Sequence, residues 1–109
     1  SHLSAHYDPF HPAFLRTLRG VVQAGRAAAK PVSICGEIAA DPTWTGLLVG
    51  LGVDRLSMAP QWILPIGQVV AQAEGAAWEA TAAEVLALST ADEIRRRVRE
   101  RAAPEPKPR

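Results

Sequence analysis

The sequence predicts an α/β domain whose strands run parallel and belong to a larger sheet. Two short β-rich runs, residues 32–34 and 56–59, each stand between helical stretches. Alternation of strand, helix, strand and helix makes parallel neighbours. Two strands alone are a poor sheet, because unpaired backbone groups line both edges. Everything after residue 60 has a helical pattern, so nothing in this chain supplies the missing strands.

Residues 1–10 read as an extended or loop segment. Pro12 suits the first position of a helix, where its missing N–H is not needed, and His11 before it is a helix-start residue. From residue 13 to 29 the apolar residues Phe14, Leu15, Leu18, Val21 and Val22 recur at helical spacing, with Arg16, Arg19 and Arg26 on the other side. Lys30-Pro31 ends this helix, since the residue before proline is pushed out of the α region. Val32-Ser33-Ile34 follows as a buried strand that closes at Cys35-Gly36.

Asp41-Pro42 starts the next helix with an N-cap acid and a proline in the first turn. Its Leu47-Leu48-Val49-Gly50-Leu51 run is almost wholly apolar and predicts burial on most sides, with Gly52 as a left-handed stop. Leu56-Ser57-Met58-Ala59 is the second strand and Pro60 ends it. Residues 62–72 form a helix that carries Ile63, Ile66, Val69 and Val70, with Pro65 expected in the first turn, where it breaks no helical bond. Residues 76–88 are Ala-rich and helical. Thr90-Ala91-Asp92-Glu93 is a capping box, and the last helix runs to about Arg101. Residues 1–102 make one domain portion. The tail 103–109 alternates proline with charge and is expected to be disordered.

Composition excludes several function classes. With 109 residues, 48% apolar and 21% charged, the chain suffices for one small core. Cys35 is the single cysteine, so no disulfide scaffold forms within the chain, and a reducing, cytoplasmic setting is expected. No run of about 18 apolar residues exists, which argues against membrane insertion. The N-terminus opens on polar Ser1 and His2, unlike a signal peptide.

The net charge of +1 hides an asymmetry. Residues 95–109 hold seven Lys/Arg against two acids, and residues 1–94 hold five against nine. Arg95, Arg96, Arg97, Arg99 and Arg101 share one short helix with no interleaved aromatic residues to stack bases. They are read as a solvated face rather than a nucleic-acid site. A nucleic-acid module would instead show strong salt-dependent DNA binding.

Several residues have both a chemical and a plain structural reading. A lone Cys is more often a buried, inert side chain than a reactive one, yet Cys35 stands where a strand ends and Gly36 frees the backbone to approach a ligand. Glu37 is placed either to hydrogen-bond near the thiol or substrate, or only to hold the loop. Asp41 is most simply a helix cap, and Ser57 and Met58 are expected to pack rather than react. His2, His6 and His11 do not have zinc-ligand spacing. Trp44, Trp62 and Trp78 are expected in a core or an interface.

Four stretches in register carry a family resemblance. Ile34-Cys35-Gly36-Glu37-Ile38-Ala39-Ala40-Asp41 resembles the active-site cysteine segment of the enzymes that use phosphoenolpyruvate (PEP), above all enzyme I of the bacterial phosphotransferase system. His11-Pro12-Ala13-Phe14-Leu15 resembles the family's His/Ser-Pro helix start. Leu47 to Asp54 resembles its Leu-rich, Gly-spaced stretch, and Leu56-Ser57-Met58 its final Phe-Ser-Met strand. The related pyruvate phosphate dikinases share Cys-Gly-Glu but usually continue His-Gly-Gly, which Ile38-Ala39-Ala40 does not match. The resemblance covers residues 5 to about 70; beyond that only the pattern agrees.

The resemblance implies the C-terminal fragment of a (β/α)₈ barrel, contributing its last two strands with flanking helices and a helix-rich C-terminus. A whole barrel needs about 250 residues. It implies transfer of phosphoryl from PEP to an enzyme histidine in a separate domain, then to an HPr-type carrier, with release of pyruvate. In that scheme Cys35 is the general acid, and Gly36 and Glu37 lie at the substrate. The Mg²⁺ of the parent is held by acidic residues upstream, so neither metal binding nor turnover is expected of these residues alone. A homodimer is expected. The competing expectation is a non-catalytic module that pairs with a full-length enzyme I.

Overall fold

Proline and capping side chains set where the helices begin. The computed structural model describes residues 8–102; Ser1, His2, His6 and the tail 103–109 lie outside the described residues. In α1 (Pro12–Ala27) the His11 Nδ1 accepts from the Ala13 N–H at 3.0 Å. The helix buries Pro12, Leu15, Leu18 and Val22 and leaves Arg16 and Arg26 outside. β1 (Ser33–Cys35), a single 3₁₀ turn (Glu37–Ala40) and α2 (Pro42–Leu51) follow. Asp41 caps α2, its Oδ1 accepting from the Thr43 N–H at 2.9 Å. Gly52 ends it at φ 93°, ψ 21°, a left-handed conformation that glycine adopts without strain.

The apolar run of α2 makes it the hub of the core, with Trp44, Leu47, Leu48 and Leu51 fully buried. Each such leucine contributes about 1.5–3 kcal/mol over leaving it exposed. Trp44 stacks on Phe10 with ring centroids 4.8 Å apart and meets the edge of Phe14 at 6.2 Å. Its indole N–H is buried with no hydrogen-bond partner among the described residues. The tightest contact is with α4 (Gly75–Leu86). A Cβ on Gly46 would lie 2.0 Å from the Trp78 ring, and one on Gly50 would lie 2.2 Å from the Trp78 carbonyl oxygen. Two glycines four apart share one helix face, and here they form the notch that seats Trp78.

α5 (Ala91–Ala102) closes the core with Ile94 and Val98, both fully buried. Half of its expected capping box forms: the Glu93 N–H donates to Thr90 Oγ1 at 3.2 Å. The reciprocal bond differs, because the Thr90 hydroxyl donates to Glu93 Oε1 at 2.8 Å. The arginine run is less solvated than its composition predicts. Arg95 pairs with Asp8 and lies over the Phe10 ring, 5.2 Å from its centroid. Arg97 Nε donates to Glu84 at 2.7 Å, and Arg101 Nε to Thr81 Oγ1 at 3.2 Å. Arginine's long stem and fork reach acceptors on neighbouring elements that helical periodicity does not reveal.

α3 (Pro60–Gln72) corrects two expectations. It begins at Pro60 rather than at residue 62, because a proline that ends a strand is also a good first helical residue. Pro65 therefore lies inside the helix and not in its first turn, and it leaves the Gln61 carbonyl without its helical donor. Ile66 is the one buried residue of this helix. Trp62 is 44% exposed, unlike Trp44 and Trp78, so only two of the three tryptophans belong to the core. Among the described residues no helix is long and apolar enough to cross a membrane.

Candidate active site

The two strands form one parallel pair, β1 beside β2 (Arg55–Ser57), with Ser33 opposite Arg55, Ile34 opposite Leu56 and Cys35 opposite Ser57. Parallel pairing and the helix-rich α/β architecture are thus as the sequence predicts. β1 lies one residue later than expected, β2 starts one residue earlier and ends two earlier than expected, and β1 is not buried. Both follow the pattern exposed, half-buried, exposed. Side chains alternate across a strand. Ile34 and Leu56 therefore pack onto the core, while Ser33, Cys35, Arg55 and Ser57 share the opposite, open face.

An acid that sequence reasoning missed sets this register. Asp54 Oδ2 accepts from the Val32 N–H at 2.8 Å, and the Asp54 and Arg55 N–H groups both donate to the Val32 carbonyl, at 3.0 and 3.2 Å. The carboxylate replaces a ladder bond at the strand entrance and brings Cys35 level with Ser57. Its one sequence signal is an acid directly after a helix-stopping glycine and a valine.

Cys35 is exposed at the C-terminal end of β1. Gly36 follows at φ 93°, ψ −162°. That region is essentially restricted to glycine, and a Cβ there would meet nothing within 4 Å. Backbone conformation, not crowding, demands the glycine. The chain then turns into the unanticipated 3₁₀ segment, which Glu37 opens as an exposed side chain and Ala39 anchors in the core. Cys35, Gly36 and Glu37 thus lie together on one solvent-facing corner. Ser57, expected to pack, is exposed beside Cys35; Met58 is half-buried.

An exposed thiol at a strand end can give or take a proton, or attack an electrophile. Among the described residues no three His, Cys, Asp or Glu side chains converge to hold a metal ion.

Comparison with known proteins places this corner in context. The family model described as PEP-utilising enzyme, PEP-binding domain, matches residues 1–75. A phosphoenolpyruvate-protein phosphotransferase of Cupriavidus necator is 39% identical over 67 residues, 62% of this chain and 11% of that protein. The enzyme of the same name from Bacillus subtilis is 34% identical over 88 residues, 81% of this chain and 15% of its own length. A multiphosphoryl transfer protein of Xanthomonas campestris is 38% identical over 96 residues, 85% of this chain and 11% of that protein. The chain therefore spans between 11% and 15% of the length of these relatives.

Proposed function

The chain belongs to the PEP-utilising enzymes, as part of their PEP-binding domain, and on that premise we propose that it supplies the proton-donating corner of a PEP-protein phosphotransferase. The parent enzyme moves phosphoryl from PEP to an enzyme histidine and on to an HPr-type carrier. The P–O bond of PEP breaks, an N–P bond forms on the histidine, and the enolate of pyruvate is left. Cys35 Sγ–H donates its proton to the methylene carbon of that enolate, giving the methyl group of pyruvate; solvent reprotonates the thiolate. Gly36 lets the backbone approach the substrate, and Glu37 lies at the rim of the same corner.

The observation that carries this reading is the position of Cys35. It is exposed where a parallel strand ends, the place at which barrel enzymes keep their catalytic groups. The two strands are then the last two of a (β/α)₈ barrel, and the barrel's other strands cover their free edges. Mg²⁺ and the phosphate-binding arginines belong to the rest of the parent, and the reaction is a cytoplasmic one. In the parent enzyme, Cys35→Ala slows pyruvate formation about 100-fold or more while PEP still binds, as loss of a general acid should. Unchanged pyruvate release would sink the assignment. The 109-residue chain alone is expected to transfer no phosphoryl group to HPr.

A second reading has its own support. Trp62, Ile63, Leu64 and Val70 of α3 are 44%, 59%, 72% and 42% exposed, an apolar surface that suits pairing with a full-length enzyme I or with a second copy in a homodimer.

A further inference from the structure

The open face of the sheet holds a cation that the proton-donor chemistry does not use. Ser33, Cys35, Arg55 and Ser57 project from one side of the two strands, all exposed. The Arg55 guanidinium has no hydrogen-bond or ion-pair partner among the described residues, whereas Arg95 and Arg97 are each ion-paired. Neither the acid next to it in sequence nor the one that follows the cysteine pairs with it among the described residues. The Asp54 carboxylate takes the Val32 N–H, and Glu37 opens the 3₁₀ turn beyond the Cys35–Ser57 rung. Arg55 stands one rung below Cys35 on the same face, about 7 Å along the strand, a span its side chain can cover.

We infer that Arg55 makes this face an anion-receiving surface, which draws the carboxylate or phosphate of a small acid to the Cys35 thiol. A planar guanidinium offers either group a two-pronged bond, and Ser57 adds a neutral donor level with the thiol. The inference deepens the reading of Cys35 as an active-site residue and rests on it for the identity of the anion. The electrostatics of the face can be tested without turnover.

Cys35 is the single cysteine, so alkylation of the 109-residue chain reports this face alone. Iodoacetate and iodoacetamide react alike, the thiolate sulfur displacing iodide from carbon, but only the first is an anion. Dividing one rate by the other cancels any change in thiolate fraction. In Arg55→Gln the iodoacetate-to-iodoacetamide ratio should fall about threefold, the factor for opposite unit charges about 7 Å apart in water. Arg55→Lys should restore it, Arg99→Gln should leave it unchanged, and added salt should shrink the difference. PEP or inorganic phosphate should slow alkylation of the original chain more than that of Arg55→Gln. The same ratio in Arg55→Gln and the original chain, with matching circular dichroism, overturns the inference; so does an equal fall in Arg99→Gln. Loss of pyruvate formation on replacing Cys35 tests the other reading, so each can fail without the other.

Discussion

At the scale of single residues, the chain stakes its charge on contacts far apart in sequence. Asp8 and Arg95 pair across almost the whole described chain. Partial burial alone would raise the Asp8 carboxyl. The hydrogen bond from Arg95, another from the Phe10 N–H, and the charges of Arg95 and His11 outweigh it and hold the group below its ordinary 3.8. A lowered folded value means that the pair stabilises the fold above the unfolded value and loses that contribution as pH falls through the folded one. The Asp8 side chain is 35% exposed, so the solvent-screened value of about 0.5–1 kcal/mol applies. Asp8→Asn is expected to cost that much in urea unfolding at neutral pH and almost nothing near pH 2. An equal cost at both pH values would deny the pair its role. Gly36 belongs to this scale too: its φ of 93° explains the residue without any reference to substrate.

At the scale of elements, the packing of α2 on α4 decides the core. Replacing Gly50 with Ala would push a Cβ within 2.2 Å of the Trp78 carbonyl oxygen, a backbone atom that cannot swing away. Overpacking of this kind costs about 1–3 kcal/mol. Gly20, in the middle of α1, has nothing within 4 Å of its missing Cβ. There Ala is expected to stabilise by about 0.5–1 kcal/mol through helix propensity. Thermal melts of the two variants should therefore move in opposite directions; a higher melting temperature for Gly50→Ala would contradict the notch. The Gly-x-x-x-Gly spacing of 46 and 50 was open to view in the sequence, but its occupant, Trp78, was not.

At the scale of the whole molecule, the surface is unfinished in two places. Among the described residues the two-stranded sheet has free edges on both sides, and α3 turns Trp62, Ile63 and Leu64 outward. Exposed apolar patches of this sort mark contact surfaces. Leu64 is 72% exposed, so Leu64→Glu should leave unfolding free energy within about 0.5 kcal/mol of the original. The same change should lower the sedimenting mass of the chain at high concentration. A monomer mass for the unaltered chain under those conditions would count against pairing through α3.

Local chemistry by itself determined where α1, α2 and α5 start and where α2 stops. Pro12, the Asp41–Pro42 pair, Gly52 and Thr90 act within one or two turns, and each does what its side chain or backbone predicts. The strand–helix–strand order and the cysteine motif at a strand end were legible for the same reason, since both are contiguous in sequence. Tertiary structure alone decided which face of each strand meets the core, and so set Arg55 and Ser57 beside Cys35. It decided that Asp54 would fix the register, that Arg95 would pair rather than stay solvated, and that Trp62 would face outward. Those outcomes depend on residues brought together from distant parts of the chain, and on how much apolar surface the neighbouring elements leave to cover. No pattern of period two or 3.6 carries that information.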